Sequence, residues 1–197
     1  MGNLNLKNLQ IILASGSPRR QQFFRDMDLA FEIRLKDIEE TYPDHLQGVE
    51  ITNYLAELKA SAFEGEINEN ELLITSDTIV WLESKALGKP KDYQDAVAIL
   101  KSLSNKTHEV ITSVCFKTKH QTETIFEVTK VTFNTLSDEE IQYYLDKYKP
   151  FDKAGAYGIQ EWIGLIGISK IEGSYTNVVG LPTEKVYQYL KQLDTGN

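Results

Sequence analysis

The most hydrophobic stretch of the chain, residues 71–82 (ELLITSDTIVWL), constrains the fold most strongly. It is too short to span a bilayer and is rich in Leu, Ile and Val, so it predicts a strand in the protein core. Asp77 lies in its middle. Because a carboxylate inside a core strand is costly unless it is paired, metal-bound or at an open strand end, Asp77 is a candidate functional residue. A turn or capping aspartate between two shorter strands is an equally good interpretation of the pattern alone.

Residues 9–20 (LQIILASGSPRR) predict a short strand followed by a helix. Ser17 suits the N-cap and Pro18 suits the first helical position, where its missing N–H has no partner to lose. Arg19 and Arg20 then fall in the first turn, where free backbone amides and the helix dipole also favour anions. The stretch indicates an anion site, although an ordinary helix with two exposed arginines explains these residues equally well.

Strands and helices alternate along the rest of the chain, without repeats or low-complexity linkers. With 197 residues, of which 41% are hydrophobic, the chain is large enough for one well-cored α/β domain, residues 1–197, with room for two lobes. Glycine-rich residues 152–180 suggest tight turns that line a pocket, or simply irregular loops. Periodicity and capping signals predict further helices at about 49–65, from Asp92, from Ser137 and at about 182–193, and strands at 30–35, 108–117 and 122–133.

Charge and cysteine content exclude several classes of protein. A net charge of −8 disfavours a protein that coats nucleic acid or an anionic membrane. The single cysteine, Cys115, allows no disulfide within the chain, and neither a signal peptide pattern nor a membrane-spanning apolar run is present. We therefore expect a cytoplasmic protein. Residues 37–72 carry ten acidic side chains against Lys59 alone, which suits metal-assisted phosphate chemistry but also a plain solvated surface.

Two lysines have competing interpretations. Lys59 flanks the apolar face of the helix predicted at 49–65, where snorkelling to water is favoured over a role in a cleft. Lys89 lies in a Gly-Lys-Pro loop, where it is either solvent-exposed or a phosphate ligand.

No phosphate-binding loop, dinucleotide fingerprint, zinc-type histidine spacing or Gly-x-Ser-x-Gly elbow is present. Cationic side chains with the carboxylates Glu40 and Asp77 remain, and these favour magnesium-assisted phosphate-ester chemistry of a nucleotide.

Six sequence blocks, in order over nearly the whole chain, resemble the Maf family of nucleoside triphosphate pyrophosphatases. This resemblance implies an α/β fold with an elongated mixed sheet flanked by helices, in two lobes around a cleft. It also implies hydrolysis of a nucleoside triphosphate to the monophosphate and pyrophosphate. The blocks are residues 13–20 (LASGSPRR), 76–78 (SDT), 88–90 (GKP), 103–110 (LSNKTHEV), 152–160 (DKAGAYGIQ) and 171–182 (IEGSYTNVVGLP).

The resemblance also implies roles for individual residues. Asp77 matches the catalytic carboxylate that activates water, and Glu40 matches an acidic-loop residue near the metal, for which Mg²⁺ is the first candidate and Mn²⁺ the second; both carboxylates are candidate metal ligands. Lys59 and Lys89 match phosphate-contacting lysines, and both Glu40 and Lys89 count as catalytic candidates. The phosphate-binding entry loop corresponds to Ser15, Arg19 and Arg20.

Substrate preference follows from a branch of the family. Its dTTP/UTP pyrophosphatases resemble this chain at Arg19, Thr78 and Gln160, and a glutamine amide offers the donor and acceptor that a pyrimidine edge requires. Arg20 is then the plainer phosphate ligand, while Arg19 helps to select the base. Residues 161–168 depart from the family's usual glycine-rich loop, which could shift the preference.

Other predictions concern partners. The expected partner is a small nucleoside triphosphate, with no nucleic acid and no membrane, and a homodimer is expected from the family resemblance only. The alternative function is a non-catalytic nucleotide-binding regulator of cell division or septum formation, which would keep the arginines but would not need the chemistry of Asp77.

Overall fold

A computed structural model describes residues 6 and 9–195; residues 1–5, on which the absence of a targeting signal was judged, lie outside the described residues. Strands and helices alternate, as the sequence predicts. The strands are β1 (Gln10–Leu13), β2 (Phe31–Ile33), β3 (Glu71–Leu82), β4 (Lys85–Leu87), β5 (Thr107–Lys117), β6 (Thr122–Phe133) and β7 (Ile168–Glu172). The helices are α1 (Pro18–Asp26), α2 (Val49–Ser61), α3 (Tyr93–Leu103), α4 (Asp138–Tyr148), α5 (Trp162–Gly167), α6 (Tyr175–Val179) and α7 (Thr183–Thr195), with a short 3-10 helix at Ala154–Ala156.

The seven strands form one mixed sheet in the order β2-β1-β3-β5-β6-β7, and β4 pairs with β3 off this path. β1 runs parallel to β2 and β3, with Leu13 opposite Ile33 and Ile74. β4 is antiparallel to β3, and β7 is antiparallel to β6. The predicted α/β class with a mixed sheet and flanking helices is confirmed. No helix among the described residues is long and apolar enough to cross a membrane.

The chain divides into two compact units. The first contains the chain up to Asp77, Thr112–Phe126 and the chain from Gly180 onward. The second contains Thr78–Ile111 and Glu127–Val179.

Successive side chains of β1 and β3 point to opposite faces of the sheet, and both sets contribute to the core of the first unit. Leu72 and Ile74 pack with Phe24 of α1 and with residues of α7. Leu73 points the other way and packs with Ala56 and other residues of α2. Helices therefore cover both faces of these strands, which explains why 71–82 is hydrophobic almost throughout.

The second unit has its own core around α3 and α4. Asp92 caps α3 by accepting a hydrogen bond from the backbone N–H of Asp95. The predicted capping box of α4 is present, with Ser137 and Glu140 bonding each other's backbone N–H groups. Tyr144 on α4 is fully buried in this hydrophobic core.

Three elements differ from the sequence-based expectations. β3 is one continuous strand, so Asp77 is not a turn residue between two strands. α2 ends at Ser61, earlier than predicted, and its buried face includes Ala56 and Ala60. Part of the glycine-rich region is regular, because Trp162–Gly167 forms α5 in the segment where the family resemblance implies a glycine-rich loop. Apolar residues on one side of this short segment favour a helix over a loop: Ile163 is buried while Leu165 is exposed.

His108 on β5 is a buried histidine that the predicted site does not use. Its Nε2 lies 2.8 Å from the hydroxyl of Tyr157, and its ring stacks on Phe133. Burial lowers the pKa of His108 to about 4, because the apolar surroundings disfavour the imidazolium form.

We expect His108 to make the folded state sensitive to mild acid. The unfolded chain takes up this proton near pH 6.5, whereas the folded chain does so only near pH 4. The unfolded state is therefore favoured as pH falls through this window, by up to about 3 kcal/mol at its lower end. Urea unfolding of wild type and His108→Leu at pH 7.5, 6, 5 and 4 measures this, and the variant should lose less stability over the range. The control is His120→Gln, at an exposed histidine on the β5–β6 turn; equal slopes in all three proteins would contradict the assignment.

Candidate active site

The alternation of side chains along β3 determines the face of the sheet to which Asp77 points. Leu73, Thr75 and Asp77 point to the same face of the sheet, which α2 covers. The hydroxyl of Thr75 donates a hydrogen bond to the carbonyl of Ala56 on α2, at 2.6 Å. Three residues after Ala56, about one turn along the helix, Lys59 reaches the carboxylate two residues along the strand. The register between β3 and α2 therefore brings Lys59 and Asp77 together.

Glu40, Lys59 and Asp77 form a compact group that we call the carboxylate–lysine cluster. The ammonium group of Lys59 lies 2.6 Å from Asp77 Oδ1 and 3.2 Å from Glu40 Oε2. The side chains of Lys59 and Asp77 are only 16% and 10% exposed, while that of Glu40 is 47% exposed. The favoured interpretation of Lys59 as a snorkelling surface lysine is therefore wrong. Its charge instead offsets the cost of placing Asp77 in a core strand.

Arg20 is anchored beside this cluster by two backbone carbonyls. Its Nε donates to the carbonyl of Gly180 at 2.8 Å, and its Nη1 donates to the carbonyl of Ser76 at 3.0 Å. Burial lowers the pKa of Arg20 from its ordinary value, and the nearby charge of Asp77 acts in the opposite direction. Because an arginine pKa starts above 12, the group stays charged and provides a fixed cation next to Asp77.

The start of α1 has the geometry that the sequence predicts. Ser17 is the N-cap, and its side chain accepts a hydrogen bond from the backbone N–H of Arg20. Ser15 is buried, and its hydroxyl accepts from the N–H of Ser17 at 3.3 Å. Arg19, next to Arg20, is half-buried. The entry loop is thus a tight turn held by its own serines, directly before the helix that carries both arginines.

The remaining predicted residues belong to the second unit. Thr78 is half-buried on β3, on the opposite face of the strand from Asp77. Lys89 is exposed, and the carbonyl of the preceding Gly88 accepts a hydrogen bond from the N–H of Gly155. Gln160 is exposed in the turn before α5.

Backbone groups of this site were missed by sequence reasoning. The carbonyls of Ser76 and Gly180 hold Arg20, but neither position carries a side chain that suggests such a role. Both positions lie within blocks that resemble the Maf family, at 76–78 and 171–182, and this was the only signal that could have marked them. A carbonyl acceptor leaves no trace in residue type, since every residue carries one.

The carboxylates of the carboxylate–lysine cluster suit a divalent cation. Glu40 and Asp77 both lie within ion-pair distance of the same ammonium group, so their hard oxygen donors are close together. Within residues 6 and 9–195, no group of three or more His, Cys, Asp or Glu side chains could hold a metal ion alone. Mg²⁺ is usually bound by one or two carboxylates together with waters and substrate phosphates. Two carboxylates without a complete protein cage fit that mode of binding.

A mixed α/β sheet, an arginine-bearing helix start and a buried carboxylate paired with lysine define an α/β protein with a site suited to an anion. Residues 10–193 match the family described as Maf-like protein, and the chain belongs to this family.

Relatives of known name are similar over nearly their whole length. The dTTP/UTP pyrophosphatase of Flavobacterium psychrophilum is 72% identical over 93% of this chain and 94% of its own. Those of Flavobacterium johnsoniae and Bacteroides fragilis are 69% and 51% identical, over 95% and 96% of this chain and 97% and 98% of theirs. Among solved structures, the Ham1 protein of Staphylococcus aureus aligns over 63% of this chain and 71% of that one, with 15% identity and a TM-score of 0.45.

We expect the Lys59–Asp77 pair to be coupled in stability. Lys59→Met removes the cation that both Asp77 and Glu40 contact and leaves Arg20 as the nearby positive charge, which should lower the free energy of unfolding by about 1–3 kcal/mol. Asp77→Asn should cost less, because Lys59 keeps Glu40 as a partner. The double variant Lys59→Met/Asp77→Asn should lose less than the sum of the two single variants. Urea unfolding at pH 7 measures all four proteins, and strictly additive losses would show that the pair is not coupled.

Proposed function

We propose that this chain hydrolyses dTTP and UTP to the nucleoside monophosphate and pyrophosphate. The observation that carries the proposal is Asp77, a carboxylate kept within a core strand by Lys59, 2.6 Å away. A purely structural strand gains nothing from such a residue. Membership of the Maf-like family and relatives named dTTP/UTP pyrophosphatase support the same reaction. The residues Arg19, Thr78 and Gln160, which match the pyrimidine-selective branch, support the choice of base.

Asp77 would act as the base that activates water. A water oxygen bonds to the α-phosphorus as its proton passes toward the carboxylate, and the bond from the α-phosphorus to the bridging oxygen breaks. Pyrophosphate leaves with that electron pair. The ion pair with Lys59 fixes the orientation of the carboxylate, so that little reorganisation is needed when the water gives up its proton and attacks the phosphorus.

Cationic side chains would offset the charge of the triphosphate. Arg20 is held rigidly by two carbonyls and lies at the start of α1, where the helix dipole also favours an anion. Lys59 and Lys89 would contact phosphate oxygens, as the resemblance to the family implies. Preorganised positive charge of this kind stabilises a transition state in which charge develops on the leaving pyrophosphate.

Glu40 and Asp77 are the residues that would hold a divalent cation, with Mg²⁺ the first choice and Mn²⁺ the second. When bound there, the cation would neutralise phosphate charge and polarise the phosphoryl group.

Several further properties stay predictions. These are a cytoplasmic location, a homodimer, independence from nucleic acid and membranes, and a single folding domain over residues 1–197. A nucleotide-binding regulator without catalytic activity is the second candidate function, and the activity experiment below separates it from the enzyme.

Replacing the proposed base should remove turnover without unfolding the protein. Asp77→Asn keeps the size of the side chain but cannot accept the proton, so kcat should fall at least about 100-fold. Pyrophosphate release from UTP measures this, and circular dichroism checks the fold. The control is Asp26→Asn, an exposed carboxylate on α1 that pairs with Gln22, and it should keep wild-type activity. Substantial turnover by Asp77→Asn would contradict its assigned role.

A panel of natural and modified triphosphates tests the reaction itself. With Mg²⁺, the purified protein should release pyrophosphate and monophosphate from dTTP and UTP faster than from purine triphosphates. A chelator should abolish turnover, and added Mg²⁺ should restore it. In ¹⁸O-labelled water, the label should enter the monophosphate, because attack occurs at the α-phosphorus. Release of a nucleoside diphosphate would contradict the proposed reaction, and nucleotide binding without any turnover would favour the regulator.

A further inference from the structure

The hydroxyl of Tyr144 on α4 ties together both ends of the turn that carries Gln160. It accepts a hydrogen bond from the backbone N–H of Gly158 at 2.9 Å. It donates a short hydrogen bond to Oε2 of Glu161. The turn is also closed by its own backbone, since the N–H of Glu161 donates to the carbonyl of Gly158 at 3.0 Å. Gln160 therefore lies between two residues that are bonded to each other and to the same tyrosine.

Both carboxylate oxygens of Glu161 take part in this network. It occupies the N-cap position of α5, yet its side chain makes no capping hydrogen bond to the helix. Its second carboxylate oxygen, Oε1, instead lies 3.1 Å from the ammonium group of Lys153, whose side chain is 11% exposed. Each oxygen of the carboxylate thus has its own donor, a tyrosine hydroxyl and a partly buried lysine. Charge-assisted bonds of this kind are stronger than bonds between neutral groups.

Two glycines make room for this arrangement. A Cβ atom at Gly158 would lie 2.8 Å from the carboxyl carbon of Glu161, so a larger residue would displace the carboxylate. A Cβ atom at Gly164 would lie 1.8 Å from the carbonyl oxygen of Ile159, so the first turn of α5 packs directly on the Gln160 turn. The turn is therefore held by hydrogen bonds to Tyr144 and by the close packing of α5.

The surroundings of Tyr144 keep its hydroxyl in place and protonated, so that it can donate a hydrogen bond. Its ring is fully buried and stacks on Tyr148, so it has no freedom to swing away. Burial, followed by the bond to Glu161, raises the pKa of Tyr144 well above its ordinary value. The hydroxyl therefore keeps its proton at neutral pH.

We propose that Tyr144, Lys153 and Glu161 form a clamp that fixes the Gly158–Glu161 turn and thereby sets the position of Gln160 for pyrimidine selection. This inference rests on the proposed function, in which Gln160 contacts the base. The three residues are positioning residues, since none is assigned a contact with substrate. Glu161 opens the segment in which this chain departs from the family's usual glycine-rich loop. The departure is then a means of fixing the pyrimidine-selecting turn rather than of shifting its preference.

Tyr144→Phe tests the clamp, because it removes only the hydroxyl and keeps the buried ring. Exchange of the Gly158 amide proton, followed by NMR, should become faster in this variant, since its acceptor is lost. The matched control is Tyr143→Phe on the same helix, where the hydroxyl bonds Lys147 and not the turn. Unchanged protection of Gly158 in Tyr144→Phe would overturn the clamp, whatever the activity of the protein.

Steady-state kinetics test the link to Gln160. In Tyr144→Phe and in Glu161→Ala, KM for UTP and dTTP should rise about three- to tenfold, the effect of one or two hydrogen bonds, while kcat changes less than twofold. This split is expected because the base is remote from the reacting phosphorus. The preference for UTP over GTP should fall by a similar factor. A general loss of stability would instead lower the active fraction and hence kcat.

A double-mutant cycle with Gln160→Ala separates positioning from other effects. If the clamp acts through Gln160, Tyr144→Phe should not raise KM further in the Gln160→Ala background. An equal rise in both backgrounds would overturn the inference while leaving the proposed function intact. If wild type hydrolyses none of the triphosphates, the proposed function fails, and the amide exchange experiment still decides whether the clamp exists.

Discussion

The ion pair between Lys59 and Asp77 is the interaction on which the candidate site depends. A core strand covered by helices on both faces offers a carboxylate little water, so Asp77, with a side chain only 10% exposed, is stabilised there by an ammonium group 2.6 Å away. Lys59 in turn depends on Glu40 and on the register of α2 against β3. The backbone carbonyl of Ser76, which precedes Asp77, accepts hydrogen bonds from both Arg20 and Lys59. One strand position thus brings together a base candidate, two cations and a second carboxylate.

Much of the fold follows from local chemistry, and the correctly predicted elements are those with strong local signals. The caps at Ser17, Asp92 and Ser137 set the starts of three helices, because each side chain satisfies a backbone N–H that the helix leaves open. The short elements after Ala154 carry no such signal. β7 exists only because it pairs with β6, and α5 is a helix because one side of it packs on the second unit's core. Pairing and packing of this kind are tertiary effects, which local periodicity cannot report.

The site was partly predictable for the same reason. An acid in a hydrophobic run is visible in the sequence, so Asp77 was found from its pattern, whereas the choice between a site and a turn required the observation that β3 is continuous. Lys59 was misjudged because it was placed at the edge of the helix's apolar face, although the small residues Ala56 and Ala60 near it on the helix pack against the sheet. Small residues permit close helix–sheet approach but contribute little to a hydrophobic pattern. The roles of Lys89, Thr78 and Gln160 came from family resemblance alone.

Tyr144 shows how a residue can belong to the scaffold and to the site at once. Its spacing with Ile141, Leu145 and Tyr148 predicts a core position on α4, and the ring does lie in the core. The hydroxyl at the far end of that ring nevertheless organises a polar network with Gly158 and Glu161. Leucine would satisfy the same hydrophobic pattern but would leave the Gly158 N–H without its acceptor. Burying a hydroxyl without a hydrogen-bond partner costs free energy. A buried tyrosine in an apolar stripe therefore indicates that its hydroxyl has a polar partner nearby.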